Sequence, residues 1–290
     1  MDELTTEEKE ILKPFMTNLD KPIFCLVNLP EVVKGALFAR YSRSPNSLRR
    51  VLIDEFIKEP ETGFGDLVNL DAKDTHNQIV AINKAEKFYE RMLIGYGDDS
   101  VAELGGAHMA VEQVSQIAAK FIESSRIGIS PLEKSTRYVW FDKKIDGKYM
   151  YYRPKKLMDS KLADLYVETC NLLFNTYSKL IPKMTVFFKE LYPKEPDISE
   201  RGYESTIRAK ACDVLRVFLP AATITNLGLF GNGRAFEYLL LKMYSSELDE
   251  IRDAAACMHE ELNKTIPSFV RRSNDEMFGL SHQEFLKETN

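Results

Sequence analysis

Apolar residues along this chain recur mostly at helical spacing. They return every three or four positions in residues 74–95, and again from about His108 to Glu123, which predicts two long amphipathic helices. Similar stripes, caps and breaks predict further helices. These cover residues 1 to about 20, a helix ending near Arg40, one beginning at Ser47, one or two over 159–191, and most of 200–265 with breaks at Leu219-Pro220 and around Gly228 to Gly233.

Two aromatic runs around a polar turn predict a β-hairpin. The runs occupy residues 138–141 and 148–152, and between them lies the dipeptide Asp146-Gly147. Aspartate followed by glycine favours the tight turns that join antiparallel strands. The pattern therefore indicates a small β component in a chain that is otherwise helical.

The length and the hydropathy limit the organisation of the protein. Its 290 residues are long for one core and short for two, so we expect one elaborated domain. No segment is apolar enough over a sufficient length to cross a bilayer. The acidic, amphipathic N-terminus lacks the basic start and apolar core of a secretory signal. We therefore expect a cytoplasmic protein without a membrane partner.

Charge and cysteine content argue against two other classes. With a net charge of −5 and a pI of about 5.6, the chain lacks the basic surface of a nonspecific duplex binder, so no nucleic acid partner is expected. The four cysteines are distant in sequence, which excludes a CxxC metal or redox pair. We expect reduced, mostly buried thiols and no metal site. The four cysteines are Cys25, Cys170, Cys212 and Cys257.

The segment from Ser125 to Tyr138 has the densest set of chemically useful side chains. Glu133, Ser135 and Arg137 alternate, so an extended chain would project them to one face. A guanidinium can bind a phosphate with two hydrogen bonds, and a neighbouring hydroxyl adds a donor. The alternative is a solvent-facing strand edge, on which alternating polar residues are common.

Two arginines and a glycine-flanked asparagine mark further candidate sites. Arg208 and Arg216 lie about two helical turns apart. Arg216 enters an apolar run, where it either pairs with a ligand anion or snorkels from a helix end. Asn232 lies between two glycines, and Arg234 follows the second of them. These glycines permit close approach of the backbone to a ligand at a helix N-terminus. Equally, Asn232 is a good helix cap.

Ser100 and Glu103 complete the set of candidates. Their spacing of three matches a capping box, in which each side chain bonds the backbone of the other residue. That structural role is sufficient to explain them without any ligand.

Together and in this order, these segments resemble the signature of the flavin-dependent thymidylate synthases. In that family an Arg-His-Arg triplet is followed, seven residues on, by serine, any residue, arginine and tyrosine, as in Ser135-Thr136-Arg137-Tyr138. Upstream and downstream matches extend the resemblance from about Ala39 to Arg252. They are Ala39-Arg40-Tyr41-Ser42, Ser100-Val101-Ala102-Glu103, Arg216-Val217-Phe218-Leu219-Pro220, Asn232-Gly233-Arg234 and Lys242.

The chain departs from the family pattern mainly at the basic triplet. Ser125, Arg126 and Ile127 occupy the three positions, so two of the three basic residues are absent. Leu132 stands where the family has an asparagine. Asp98 stands where it has a histidine.

The resemblance implies an α/β (α+β), helix-rich fold with a small, mostly antiparallel sheet. It implies a homotetramer that binds flavin adenine dinucleotide (FAD) and deoxyuridine monophosphate (dUMP), with methylenetetrahydrofolate and NADPH as co-substrates. The residues expected to face the flavin are Ser42, Ser100, Glu103, Arg126, Asn232 and Arg234. Those expected to face the nucleotide are Glu133, Ser135, Arg137, Arg216 and Lys242, with Arg137 and Lys242 as candidate catalytic groups.

The same resemblance divides the chain and defines the functional alternatives. We expect an N-terminal helical extension at 1–38, the family domain at 39–265 and a C-terminal tail at 266–290. The expected reaction is the reductive methylation of dUMP to dTMP. One alternative is a non-catalytic flavin- and nucleotide-binding oligomer, and another is a helical interaction protein without a ligand.

Overall fold

The computed structural model describes residues 4–58, 99–125 and 127–289, and all structural statements refer to these ranges. The N-terminal range is helical. Its helices are α1 (Thr6–Leu12), α2 (Glu31–Tyr41) and α3 (Leu48–Val51), the last continuing into a π-helical turn at Leu52–Ile57. The predicted helices before Arg40 and from Ser47 are confirmed, whereas the helix predicted over residues 1 to about 20 is shorter and ends at Leu12. The helix predicted over 74–95 lies outside the described residues.

The middle of the chain contributes two strands and a small hairpin. After a 3₁₀ turn at Asp99–Glu103 come β1 (Gly106–Ser115), α4 (Gln116–Glu123), β2 (Ile129–Glu133), β3 (Lys144–Ile145), β4 (Lys148–Tyr149) and α5 (Lys155–Met158). The C-terminal part is mainly helical. Its elements are α6 (Ala163–Leu191), α7 (Glu200–Leu215), a 3₁₀ turn at Arg216–Phe218, β5 (Ile224–Asn232), α8 (Gly233–Tyr244), α9 (Asp249–Leu262), α10 (Pro267–Val270) and α11 (Ser281–Thr289).

A three-stranded antiparallel sheet organises the fold. β5 lies in the centre, with β1 on one side and β2 on the other. At one end Gly106 and Ile129 lie opposite Asn232 and Gly231, and toward the other end Glu133 lies opposite Leu227. The fold is therefore the expected helix-rich α+β arrangement with a small antiparallel sheet.

Two of the predicted helical stretches are wrong because they contain the strands of this sheet. The stretch predicted as a helix from His108 to Glu123 begins as β1, and its helix starts only after Ser115, whose Oγ accepts a hydrogen bond from the Ala118 amide at 3.1 Å. The predicted helical range 200–265 likewise contains β5. Both segments are strands because they pair with strands that are distant in sequence, and the local spacing of apolar residues cannot reveal such pairing.

The hairpin prediction is confirmed, although the hairpin is short. Asp146 and Gly147 have φ values of 48° and 74°, which is the left-handed pair of a type I′ turn. This turn joins β3 to β4, whereas residues 138–141 belong to neither strand. Of the one or two helices predicted over 159–191, the structure has one from Ala163, since α6 continues through Pro182 to Leu191.

One face of the sheet packs on helices and the other face is exposed. Buried side chains of β1 and β5 join those of α2, α3, α8 and α9 in the main core. On the opposite face Phe230 is 47% exposed and Leu132 is 79% exposed, while the His108 ring contacts the Phe230 ring at a tilt of 37°, with 4.6 Å between ring centroids. The described part of the chain therefore leaves an apolar sheet surface uncovered.

The core extends beyond the expected domain boundaries on both sides. Leu12 and Val32, from the expected extension, are fully buried in the main core. Phe269 and Val270, from the expected tail, are buried in the same core, and α11 follows them. The boundaries after residues 38 and 265 remain predictions.

A second, aromatic cluster forms where α6 packs against the hairpin and α7. Phe174 and Tyr177 are fully buried there with Tyr149 and Tyr151. The cysteines do not follow the expected burial completely, since Cys170 and Cys212 are buried but Cys25 and Cys257 are exposed. None of the helices in the described ranges has the length and apolar character that a membrane crossing requires.

Candidate functional site

The junction between β5 and α8 brings two of the predicted flavin residues together. Nη1 of Arg234 donates to Oε1 of Glu103 at 2.6 Å, and both side chains are about half exposed. The pairing of Gly106 with Asn232, and a hydrogen bond from the Gly233 amide to the Gly105 carbonyl at 2.9 Å, hold the two segments in place. The Glu103 carboxylate thus bonds an arginine 131 residues away along the chain.

Asn232 caps α8, as the structural alternative predicts. Its Oδ1 accepts a hydrogen bond from the Ala235 amide at 2.8 Å. The glycines beside it allow close approach of the chain itself. A Cβ on Gly231 would lie 2.3 Å from Cδ1 of Ile129, and one on Gly233 would lie 2.3 Å from Cβ of Phe269. The interpretation of these glycines as space for a ligand is therefore wrong, because protein atoms fill that space.

The segment of the divergent triplet also reaches this junction. Gly128 has a φ of 81°, and a Cβ there would lie 2.6 Å from Cβ of Ala235 in the first turn of α8. Ser125 is buried, whereas Ile127 is 96% exposed. Arg126 lies outside the described residues, and so does the side chain of Ser100.

Ser42 lies apart from this pair. It stands at the C-terminal end of α2, where its Oγ donates to the Ala39 carbonyl at 2.8 Å. The described contacts therefore join Glu103, Asn232 and Arg234 at one end of the sheet, and they do not join Ser42 to them.

The donors at this end fit a cofactor that carries phosphates. Arg234 uses one guanidinium N–H group on Glu103, and its half-exposed side chain leaves further donors facing solvent. The amide group of Asn232 remains a donor because its oxygen makes the cap. A guanidinium beside a helix N-terminus favours negatively charged groups, such as the diphosphate of a flavin dinucleotide.

A second cluster gathers two predicted nucleotide residues around one carboxylate. Oδ1 of Asp213 lies 3.1 Å from Nε of Arg137 and 3.0 Å from Nη2 of Arg216. We call these three residues the arginine cluster. The oxygen is enclosed, yet neither contact has the geometry of an aligned hydrogen bond, so they are ion pairs. Sequence reasoning missed Asp213, although a carboxylate three residues before an arginine on a helix is a recognisable pairing signal.

The extended arrangement predicted for Glu133, Ser135 and Arg137 is wrong. β2 ends at Glu133, and a turn follows, in which Oγ of Ser135 accepts a hydrogen bond from the Arg137 amide at 3.2 Å. The serine therefore shapes the turn that carries Arg137 to Asp213. Oε1 of Glu133 is enclosed and finds no hydrogen-bond donor among the described residues, which leaves it ready to accept one from a ligand or partner.

Lys242 does not join the arginine cluster. It lies on α8, and its ammonium group is 4.5 Å from the centre of the Tyr238 ring. Its assignment to the nucleotide therefore rests on the sequence resemblance alone.

A cleft of about 540 Å³ opens beside the arginine cluster. Arg137 and Asp213 form one side of it, and α7 contributes hydroxyl groups from Ser205 and Thr206 and the ammonium group of Lys210. The volume is within the usual range for small-molecule sites. Cations together with hydroxyl donors fit a phosphate-bearing ligand.

The segments that lead to the two clusters pair with β5 at different positions. Glu133 is opposite Leu227 and Gly106 is opposite Asn232, which is five residues further along β5. At the rise of an antiparallel strand, these positions are about 17 Å apart. The protein is therefore a helix-rich α+β protein with two separate clusters of charged residues, one around Asp213 and one formed by Glu103 and Arg234.

Comparison with known proteins defines the family. A family model described as thymidylate synthase complementing protein matches residues 50–268. This is the flavin-dependent family of thymidylate synthases, and the chain belongs to it.

Similar proteins are known in bacteria and archaea. A UPF0159 protein of Chlamydia muridarum is 51% identical over 93% of this chain, and one of Chlamydia pneumoniae is 49% identical over 94%. The UPF0159 protein Ta1429 of Thermoplasma acidophilum is 34% identical over 82%. The matches cover 50%, 50% and 48% of those proteins, so the chain spans about half the length of the curated relatives it matches.

Proposed function

We propose that this protein binds FAD and dUMP and carries out the reductive methylation of dUMP to dTMP, with methylenetetrahydrofolate and NADPH as co-substrates. The observation that carries the proposal is that residues of the family signature lie in two clusters that each contain arginine. Arg137 and Arg216 meet at Asp213, and Glu103 meets Arg234. Arg137 and Arg216 are far apart in sequence and adjacent in the fold, and the same holds for Glu103 and Arg234, which supports the proposal.

The arginine cluster and the neighbouring cleft would hold the nucleotide. Arg137 and Arg216 supply fixed cations for a phosphate, and Ser205 supplies a hydroxyl donor beside them. Glu133, with its unsatisfied oxygen, would accept a hydrogen bond from the ligand. Cations near a uracil ring also stabilise the negative charge that develops on its carbonyl oxygens during hydride attack.

Glu103, Asn232 and Arg234 would hold the flavin, and a bound flavin supplies the redox chemistry. In this arrangement no side chain of the protein acts as a nucleophile. The task of these residues is to bind and orient, with Glu103 holding the guanidinium of Arg234 in place.

A site shared between copies of the chain would bring the two clusters into one active centre. Within one chain, the strand positions opposite Glu133 and Gly106 are about 17 Å apart along β5. The uncovered sheet face with Phe230 and Leu132 offers an apolar surface for a second copy. Both features support the homotetramer that the family resemblance implies. Light scattering should accordingly give a mass well above 33.3 kDa, and a monomer at working concentration would contradict the shared site.

Flavin binding is tested most directly by fluorescence titration of the purified protein with FAD. Arg234→Ala should weaken flavin retention about tenfold or more, because a charge-assisted contact contributes roughly 1.5–3 kcal/mol. Lys264→Ala is the matched control, since Lys264 is also an exposed cation, paired with Glu261 at 2.6 Å, and lies outside both clusters. If the unaltered protein shows no affinity for FAD, the proposed function is wrong.

Nucleotide binding should survive better than turnover. Arg137 and Arg216 are in place, but Ser125 and Ile127 replace two cations of the family triplet. Losing one charge-assisted contact in the transition state would slow turnover about tenfold or more, at 1.36 kcal/mol per decade. Calorimetry with dUMP, beside tritium release from labelled dUMP, measures the two quantities separately. Binding of FAD and dUMP without any release would favour the non-catalytic alternative, and binding of neither would favour an interaction protein.

A further inference from the structure

A second cleft along α7, beside the candidate nucleotide cleft, contains two arginines that the proposed function does not use. It has a volume of about 570 Å³ and lies where α6 and α7 pack together. Arg201 and Arg208 line it from α7, with Ser205 between them. Because positions i, i+4 and i+7 share one face of a helix, the hydroxyl and both guanidinium groups face the same cleft.

The charge in this cleft is positive in a protein whose net charge is −5. The Glu204 carboxylate also lines the cleft, but its charge is offset because it binds the ammonium group of Lys189. Within the described residues, neither Arg201 nor Arg208 is paired with a carboxylate. Two neighbouring cations without a carboxylate partner attract anionic oxygen groups, and a guanidinium group binds phosphate in a bidentate manner.

The opposite side of the cleft is apolar and aromatic. Its apolar residues are Ile181 from α6 and Trp140, which follows the turn after β2, and Thr185 of α6 lines the cleft beside them. Small-molecule sites typically combine such an apolar wall with a few polar groups that fix the orientation of the ligand. Arg201 and Arg208 are two helical turns apart, about 10.5 Å along the axis, so they suit a ligand with more than one anionic group.

We infer that this cleft is a binding site for a phosphorylated aromatic compound, such as a nucleoside diphosphate. The phosphates are held by Arg201, Arg208 and Ser205, and the ring lies on the side of Trp140 and Ile181. The inference rests on this cleft alone and does not require the proposed thymidylate synthase activity. The cleft adjoins the candidate nucleotide cleft, and Ser205 lines both.

The experiment uses the fluorescence of Trp140, which is the single tryptophan of the chain. Adenosine diphosphate, titrated into the protein without added FAD, should change this fluorescence in a saturable manner, and inorganic pyrophosphate should compete with it. Arg201→Gln and Arg208→Gln should each weaken the binding at least about tenfold, which corresponds to 1.4 kcal/mol. Both side chains are exposed, so the variants should fold, and urea unfolding checks this.

Two control variants distinguish this cleft from general charge effects and from the candidate nucleotide site. Lys183→Gln removes an exposed cation of α6 that does not line the cleft, and Arg216→Gln alters the arginine cluster. Both should leave the affinity of this cleft within about twofold of the unaltered protein, because neither changes a group that contacts the ligand. The inference is overturned if the fluorescence shows no saturable change, if folded Arg201→Gln and Arg208→Gln proteins bind normally, or if Lys183→Gln or Arg216→Gln weakens the binding equally.

Discussion

In the proposed function, Asp213 occupies the position between Arg137 and Arg216 at which the phosphate of dUMP would bind. Its Oδ1 lies 3.1 and 3.0 Å from the two guanidinium groups, so an incoming phosphate must displace this carboxylate or share the arginines with it. We therefore predict that Asp213→Asn binds dUMP more tightly than the unaltered protein. Asparagine keeps the size of the side chain and removes the competing charge.

The size of the effect on dUMP affinity follows from the exposure of the three side chains in the arginine cluster. The side chains of Arg137, Asp213 and Arg216 are 55%, 43% and 45% exposed, so solvent screens their attraction. Ion pairs with such exposure contribute about 0.2–1 kcal/mol each. In Asp213→Asn, dUMP no longer has to displace one or two of these ion pairs. Its binding should therefore be about twofold to tenfold tighter, at 1.4 kcal/mol per decade. The free energy of unfolding should change by less than about 1 kcal/mol for the same reason.

Isothermal calorimetry with dUMP at low and at high salt measures the change. Glu200→Gln is the matched control, because Glu200 also lies on α7 and is paired with a cation, Lys194, at 2.9 Å. It removes the same charge at a distance from the arginine cluster. Weaker binding by Asp213→Asn would refute the reasoning and show that the carboxylate orients the arginines. Equal tightening by Glu200→Gln would show a general effect of net charge.

Two predictions concern stability. Burial holds the pKa of His259 below its ordinary value of about 6.5, so the unfolded chain binds a proton as the pH falls through that value while the folded protein does not. The free energy of unfolding of the unaltered protein, measured by urea unfolding, should therefore fall between pH 7.5 and 5.5. The fall should be steeper than in His259→Gln by up to about 1.4 kcal/mol per pH unit. His282 is exposed, so His282→Gln should match the unaltered protein. Gly106→Ala should cost about 1–3 kcal/mol, because its Cβ would lie 2.5 Å from the Gly231 carbonyl oxygen. Gly228→Ala, whose Cβ would be 3.9 Å from its nearest neighbour, should be neutral or stabilising, and an equal loss in both variants would contradict the packing argument.

The family could be predicted from the sequence because the resemblance depends on local motifs. The segments around Ser135-Thr136-Arg137-Tyr138 and Asn232-Gly233-Arg234 carry the resemblance without any knowledge of the fold. Helices were predictable where caps and breaks are local, as at Ser47, whose Oγ accepts a hydrogen bond from the Arg50 amide. The turn at Asp146-Gly147 was predictable for the same reason, since its left-handed φ values suit those residue types.

The central strand and the geometry of the clusters were decided only by the tertiary structure. β1 and β5 come from stretches with helical spacing, and they are strands because each finds a partner more than a hundred residues away. The pairing of Glu103 with Arg234, and the convergence of Arg137 and Arg216 on Asp213, depend on the same long-range contacts. Side-chain chemistry is therefore readable from the sequence, whereas the distances between such groups follow from strand register and packing, which no local pattern encodes.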